Sequence, residues 1–206
     1  PNITSVGNLT GLTVNGNLYA NFLSGDGSNI SNITFNATTN IHLGTGAGQI
    51  NQSNTGIAIG LDAGGNNQGN GAIAIGVYAA ECFNPTVGGG TALQKDHAIA
   101  IGQTAGTSGQ GNGAIAIGFL AGRTNAPNSG NLQGDNSIAL GTYAGFCNTN
   151  LGQPNNSIVI NATGAILEAA TNNATYIKPI RAVSSLVGLK QLYYDPIAGE
   201  LVYYSP

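Results

Sequence analysis

Charged residues are scarce in this sequence. Only 13 of the 206 residues are charged, five Lys or Arg and eight Asp or Glu, and both Met and Trp are absent. Because an average soluble domain has about 25% charged residues, Asn, Gly, Ser and Thr must solvate most of this surface. The net charge is −3 and the five cations are scattered, so the basic patch that nucleic acid requires is missing.

Long apolar runs are missing as well. No stretch of about 18 apolar residues is available to span a bilayer, and the chain does not open with a basic segment followed by an apolar one, as a secretory signal would. The chain begins at Pro1 rather than at methionine. We therefore expect a processed product or a fragment that does not insert into a membrane.

What the sequence does contain is one phrase, Ile-Ala-Ile-Gly-x-x-Ala-Gly, repeated through its middle. Successive copies begin 16, 16, 26, 16, 23 and 20 residues apart, which fits a 16-residue unit with insertions of 10, 7 and 4 residues. Recurring glycine and period-two alternation exclude a helix, and the fixed unit predicts a β-solenoid. The copies begin at Ile41, Ile57, Ile73, Ile99, Ile115, Ile138 and, in decayed form, Ile158.

Within each Ile-Ala-Ile strand, the isoleucines and the alanine point to opposite faces. We expect the isoleucines to fill the interior of the coil. The other face then carries small apolar residues, which would form an exposed patch in a lone chain and predict an interface with further copies. The alternative is that alanine merely tolerates a crowded coil. The predicted interface column consists of His42, Ala58, Ala74, Ala100, Ala116, Ala139 and Val159.

Three domains follow from this organisation. Residues 1–39 form a β-rich shaft or collar segment, because their apolar residues are spaced too irregularly for a helix. Residues 40–165 form the repeat domain, with insertions at 81–96 and 123–135. Residues 166–206 form a C-terminal segment, in which turn-forming residues 195–200 between two Tyr-rich runs predict a β-hairpin. One or two helical turns are expected within 164–174.

The phrase Ala-Ile-Ala-Ile-Gly-x-x-Ala resembles the repeats in the head domain of trimeric autotransporter adhesins, and similar repeats occur in fibre proteins of phages and large DNA viruses. The resemblance covers about residues 40–165. It implies an all-β fold, a left-handed parallel β-roll assembled as an intertwined homotrimer with short β-rich flanking segments. Three chains rather than two is an expectation that comes mainly from this resemblance.

The flanks favour the viral branch of this resemblance. Residues 7–33, with Gly-Asn-Leu-Thr-Gly-Leu-Thr-Val-Asn-Gly-Asn-Leu and Gly-Asp-Gly-Ser, look like phrases common in viral and phage fibres, and residues 176–204 resemble the segment that follows the repeats there. In some relatives a self-cleaving trimerisation chaperone comes next. The resemblance implies a structural and adhesive protein of the virion surface or extracellular space, with other virion or fibre proteins and a host receptor or glycan as partners.

Two other functions are weighed against a viral fibre. The head of a bacterial trimeric autotransporter adhesin, binding matrix or cell-surface ligands, would continue into a coiled coil, and no heptads follow residue 165. A polysaccharide-degrading tailspike would need two carboxylates about 5 to 9 Å apart in a groove. We expect no enzyme, since neither a nucleophile elbow nor a phosphate loop is present.

Ligand contacts are expected in the insertions, since the coil interior cannot vary without losing its packing. The candidate contact residues are Glu81, Phe83, Lys95, Arg123 and Asp135.

Cysteine and histidine are too few for a metal site or a cofactor, and neither is expected. Cys82 and Cys147 occupy equivalent positions three coils apart, about 14 Å at a strand spacing of about 4.8 Å, which is too far for a disulfide between them. Free buried thiols are expected first and interchain bonds second. His42 and His97 have no Cys or His at ligand spacing.

Asparagine stands in nine Asn-x-Ser/Thr sequons. This pattern indicates either glycosylation in a eukaryotic host or a favoured turn phrase. The sequons begin at Asn2, Asn8, Asn29, Asn32, Asn36, Asn51, Asn155, Asn161 and Asn173.

Overall fold

The structure is a computed structural model that describes residues 40–81, 94–125, 132–148, 152–185, 187 and 189–203. The predicted N-terminal segment, residues 1–39, lies outside the described residues. Among those described, no helix is long and apolar enough to cross a bilayer.

Eight short parallel strands form one sheet whose spatial order follows the sequence, so the chain is a β-solenoid of seven coils, as the repeats predict. The register pairs each central residue with its counterpart, from His42 opposite Ala58 to Val159 opposite Tyr176. The strands are β1 (Ile41–Leu43), β2 (Ile57–Ile59), β3 (Ile73–Ile75), β4 (Ile99–Ile101), β5 (Ile115–Ile117), β6 (Ile138–Leu140), β7 (Ile158–Asn161) and β8 (Thr175–Lys178).

A glycine ends each of the first six strands and allows the coils to stack closely. Gly102 has φ +125°, a conformation that L side chains rarely adopt, and a Cβ added there would stand 2.6 Å from the Gly118 carbonyl oxygen. The same contact repeats one coil further, between Gly118 and Gly141. A side chain at this corner would therefore push neighbouring coils apart.

The solenoid continues beyond residue 165, where the sequence placed its end. The prediction of one or two helical turns in 164–174 is wrong, because backbone groups of this segment form hydrogen bonds with the preceding coil and not with each other. The N–H of Leu167 donates to the Tyr143 carbonyl at 3.2 Å, and the Leu167 carbonyl accepts from Gly145 N–H at 2.9 Å. Residues 164–174 are thus a further coil, closed by β8.

The predicted C-terminal hairpin is confirmed. Strands β9 (Leu192–Asp195) and β10 (Glu200–Tyr203) pair antiparallel around a four-residue turn. The Asp195 carboxylate accepts from the N–H of Ile197 at 2.8 Å and of Ala198 at 3.1 Å, and Gly199 supplies the positive φ of +71°. An aspartate before the turn and a glycine at its end are the chemistry expected of such a loop.

Replacing the corner glycine should destabilise the fold by more than backbone strain alone. We expect Gly102→Ala to lower the free energy of unfolding by at least ~2 kcal/mol, because a left-handed conformation and a steric clash both oppose the methyl group. Thermal and denaturant unfolding followed by circular dichroism would measure this. Gly164→Ala is the control, since Gly164 also has a positive φ, +73°, but no atom lies within 4 Å of its added Cβ. Equal losses in the two variants would contradict a role for close stacking.

Candidate functional site

The alternation of the repeat strands is opposite to the one expected from the sequence. The central alanines face the interior of the coil and are fully buried in a single chain, whereas the flanking isoleucines point outward and are only half buried. The expectation that the alanine column faces a partner chain was therefore wrong. The buried column consists of Ala58, Ala74, Ala100, Ala116, Ala139 and Val159, each with no exposed surface.

The two ends of this column differ from its middle. His42, predicted as a member, stands in the first described strand, where it is exposed and its Nε2 bonds to Gln52 Oε1. At the other end Tyr176 packs against the buried cluster, and its hydroxyl bonds to Thr171 and to the N–H of Ala170. The side-chain bond from Thr171, followed by the Ala170 backbone bond, lowers the pKa of the Tyr176 phenol. Tyr176 thus closes the interior that alanine fills elsewhere.

The interior is narrow, and apart from Val159 the inward position of the strands from β2 to β7 is occupied by alanine, which explains the reversal. A second column of alanines, six residues after the start of each strand, faces the first across the coil and is equally buried. With both walls made of methyl groups, an isoleucine between them would overpack the coil. This second column consists of Ala63, Ala79, Ala105, Ala121 and Ala144.

A column of buried glutamines, which the sequence analysis missed, fills the rest of the interior. Gln94 Nε2 donates to Gln110 Oε1 at 3.1 Å, Gln110 to Gln133 at 2.9 Å, and the series ends at Gln153. Each amide also donates to a strand carbonyl of its own coil, as Gln110 does to Ile99 at 2.9 Å. The sequence carried the signal, because a glutamine stands five residues before each strand from β2 to β7.

The outward side of the sheet is a double row of aliphatic side chains, here called the isoleucine face. No described element covers it, and its members are half buried or exposed, up to 52% for Leu43. Parallel sheets usually have both faces covered, whereas the described part of the chain leaves this contiguous apolar face uncovered. The isoleucine face consists of Ile41, Leu43, Ile57, Ile59, Ile73, Ile75, Ile99, Ile101, Ile115, Ile117, Ile138, Leu140, Ile158 and Ile160.

In the sequence, each insertion falls between the end of one repeat phrase and the next buried glutamine, a position here called the insertion corner. The coil resumes at Gln94 and Gln133, which bridge Gln68 and Gln110 respectively. Lys95 and Asp135 therefore belong to regular coil, not to the insertions in which the sequence analysis placed them. Phe83 lies outside the described residues.

Glu81 and Arg123, two of the predicted contact residues, lie on one edge near this corner. Ser108 links the two neighbourhoods, because its N–H donates to the Glu81 carbonyl at 3.2 Å and its hydroxyl to the Thr124 carbonyl at 3.0 Å. Burial, and secondarily the charge of Asp62, raises the pKa of the Glu81 carboxyl to about 6. One buried oxygen of Glu81 and the buried Nε of Arg123 have no hydrogen-bond partner within the described part of the chain.

Lys95 and Asp135, by contrast, come together in a groove of about 710 Å³. The groove is also lined by Gly111, Gly134 and Pro154, each of which stands four residues before a strand in the sequence. Glu168 and Asn172 line it as well. A Cβ on Gly111 would stand 2.3 Å from Asp135 Oδ1, so glycine is needed for the Asp135 side chain to fold back over the coil. We call this feature the polar groove.

Two carboxylates of the polar groove are fixed in place by backbone amides. Asp135 Oδ1 accepts from Asn112 N–H at 2.8 Å, and Glu168 Oε1 accepts from Asn148 N–H at 2.8 Å. Each carboxylate therefore keeps a second oxygen that these backbone bonds do not use. A polysaccharide-degrading tailspike would need two carboxylates about 5 to 9 Å apart. These hydrogen bonds do not set the distance between Asp135 and Glu168, and the absence of an enzymatic activity stays a prediction.

Cys147 is a free, buried thiol, as expected. Desolvation, with a smaller contribution from the charge of Glu168, raises the pKa of the Cys147 thiol to about 11. Cys82 lies outside the described residues. No group of three His, Cys, Asp or Glu side chains able to hold a metal ion occurs among the residues described.

One predicted glycosylation position is wrong. Asn161 is only 3% exposed, and its amide donates to the carbonyls of Thr142 and Ala165, so no glycan can be attached in the folded chain. Asn51, Asn155 and Asn173 are exposed. The five sequons that begin within the first 39 residues lie outside the described residues.

No family model, curated protein or solved structure matches this chain.

The glutamine column yields a stability prediction. Gln110→Glu keeps the shape of the side chain but removes two donated hydrogen bonds and adds a buried charge, so we expect a loss of at least ~3 kcal/mol at pH 7. Burial raises the pKa of such a glutamate, so the loss should shrink as the pH falls. Gln103→Glu, at an exposed position, is the control for unfolding measurements at pH 7 and pH 5. Similar losses in both variants would contradict a structural role for the column.

Cys147 should resist thiol reagents in the folded protein. In a Cys82→Ser variant, labelling of the remaining thiol by an aromatic disulfide at pH 8 should be at least a hundredfold slower than in denaturant, because a thiol of pKa about 11 has about a hundredfold less thiolate than one of pKa 9. Absorbance of the released thiolate gives the rate. Labelling at the denatured rate would show that Cys147 is not buried in solution.

Proposed function

We propose that this chain is a structural and adhesive fibre module of a virus or phage particle, assembled as an intertwined homotrimer of left-handed β-rolls, with no catalytic role. The observation that carries the proposal is the isoleucine face. A solenoid that worked as a monomer would place polar or charged residues on the outer side of its sheet, as soluble sheets with one solvated face do.

The energy available from covering this face is large. A half-exposed isoleucine that becomes buried contributes about 1 kcal/mol, so the fourteen residues of one face contribute on the order of 10 kcal/mol. Association costs about 4–15 kcal/mol. The three faces of a trimer together contribute on the order of 30 kcal/mol, which offsets two such association steps. Leaving the faces in water would promote aggregation.

The chain beyond β8 presents a second apolar surface. Ile180 is 75% exposed, Val187 92% and Ile197 97%, and the hairpin strands add exposed tyrosines. A segment with so many exposed apolar side chains needs a covering partner, and further copies of the chain offer a matching surface in the isoleucine face. This supports self-assembly over binding of an unrelated protein.

Three chains, left-handed coils and a virion location rest on the resemblance of the repeat phrase to trimeric adhesin heads and viral fibres. The hairpin after the solenoid, in place of a heptad pattern, favours the viral fibre over a bacterial autotransporter head. Host contact would fall at the insertion corner and in the coil positions beside it, where side chains vary without disturbing the interior.

The native mass tests the proposal, with a pair of adjacent substitutions to locate the interface. We expect a mass near 62 kDa, three times 20.6 kDa, by light scattering after size exclusion. Ile101→Glu places a charge on the isoleucine face and should give a folded monomer, because charge cannot be buried unpaired between chains. Ala100→Asp places the charge inside the coil and should unfold it, as circular dichroism would show.

A monomeric parent chain would overturn the trimer. A trimer that survives Ile101→Glu together with Ile75→Glu would overturn the assignment of the interface to the isoleucine face.

A further inference from the structure

The polar groove concentrates charge in a chain that has little. Three of its fourteen lining residues, Lys95, Asp135 and Glu168, are charged, against 13 of 206 in the whole sequence. Solvation does not require this, since asparagine and glycine solvate the rest of the solenoid. The groove volume of about 710 Å³ lies within the range of about 300–1,000 Å³ found for small-ligand sites.

The groove offers both donors and acceptors to a ligand. The second oxygens of Asp135 and Glu168 remain as acceptors beside the backbone bonds that fix these carboxylates. The Lys95 ammonium and the Asn155 amide are donors, and Asn155 is held by its Oδ1, which accepts from Asp135 N–H at 2.9 Å. Within the described residues, no ion pair joins Lys95 to Asp135 or to Glu168.

This chemistry selects an uncharged, hydroxyl-rich ligand. One cation and two anions leave the groove with a net charge of −1, which disfavours polyanions. Among the described residues of the lining, Leu132 is the only large apolar one, so an apolar ligand would bury little surface there. A hydroxyl both donates and accepts hydrogen bonds, and fixed carboxylate and amide groups match it on either side. We infer that the polar groove binds a neutral oligosaccharide, which deepens the adhesive role proposed above and rests on it.

The groove stays open when isoleucine faces pack together. Three of its lining residues, Lys95, Asp135 and Asn155, stand three or four positions before a strand. Between each of them and its strand lies one residue whose backbone has a positive φ. His97, Asn136 and Asn156 are these corner residues, with φ of 53–59°. The groove and the isoleucine face are therefore on different faces of the coil.

The test is binding of the full chain to an array of neutral and N-acetylated oligosaccharides, with sialylated and sulfated ones alongside, followed by calorimetry on the best neutral ligand. Lys95→Ser should weaken binding at least tenfold, and Ser53 already occupies the equivalent position of another coil. Asp135→Asn keeps the oxygen that accepts from Asn112 N–H but removes the charge, and should also weaken binding at least tenfold.

Asp96→Asn is the matched control. Asp96 holds the same coil position and accepts from Asn70 N–H at the same 2.8 Å, but it does not line the groove. Binding by this variant should equal that of the parent chain. Binding to no neutral sugar, binding only to the anionic sugars, or binding unchanged by Lys95→Ser and Asp135→Asn would each overturn the inference.

The same experiment separates this inference from the fibre proposal. A trimer that binds no neutral sugar would remove the groove ligand and leave the fibre assembly intact. A monomer that binds a neutral sugar through Lys95 and Asp135 would support the groove and remove the trimer. New reducing ends in the bound oligosaccharide would support the groove ligand and overturn the non-catalytic role.

Discussion

Stacking of coils in strict register brings each residue against its own counterpart about 4.8 Å away, and this constraint governs every other feature of the chain. At the strand end it leaves no space for a Cβ, since one on Gly60 would stand 2.7 Å from the carbonyl carbon of Gly76. Inside the coil it admits methyl groups and little else. The glutamines fit there because each amide, which is both donor and acceptor, bonds to its counterpart in the next coil.

A core of this kind limits how much a single chain can stabilise itself. The largest fully buried side chains are glutamines, not isoleucines or phenylalanines. Burial of alanine methyls contributes about 0.8 kcal/mol each, and the glutamine bonds mainly avoid the cost of unsatisfied polar groups. The isoleucines of the repeat strands are directed outward and are only half buried in the single chain, so much of the apolar surface of the repeat is not used to stabilise the coil interior.

The period of the repeat was enough to predict the solenoid, its strands and, from local turn chemistry, the C-terminal hairpin. It could not tell which side of Ile-Ala-Ile faces inward, because alternation fixes opposite faces but not the width of the coil. The glutamines before each strand carried that information, since a regularly spaced amide with no charged partner indicates a thin polar interior. The segment around Leu167 was mispredicted because its Ala-rich composition favours helix locally, while its backbone groups are paired with the coil before it.

The polar groove was not predicted from the sequence because it depends on positions in neighbouring coils where glycine provides no side chain. Lys95 and Asp135 were singled out as charged residues near insertions, but their meeting depends on Gly111 and Gly134, whose missing side chains open the space between them. A repeat protein can therefore form a groove without altering its interior, by omitting side chains at one outer position and placing charged ones on coils to either side of it. The register of the coil sets the spacing of the groups that would contact a ligand.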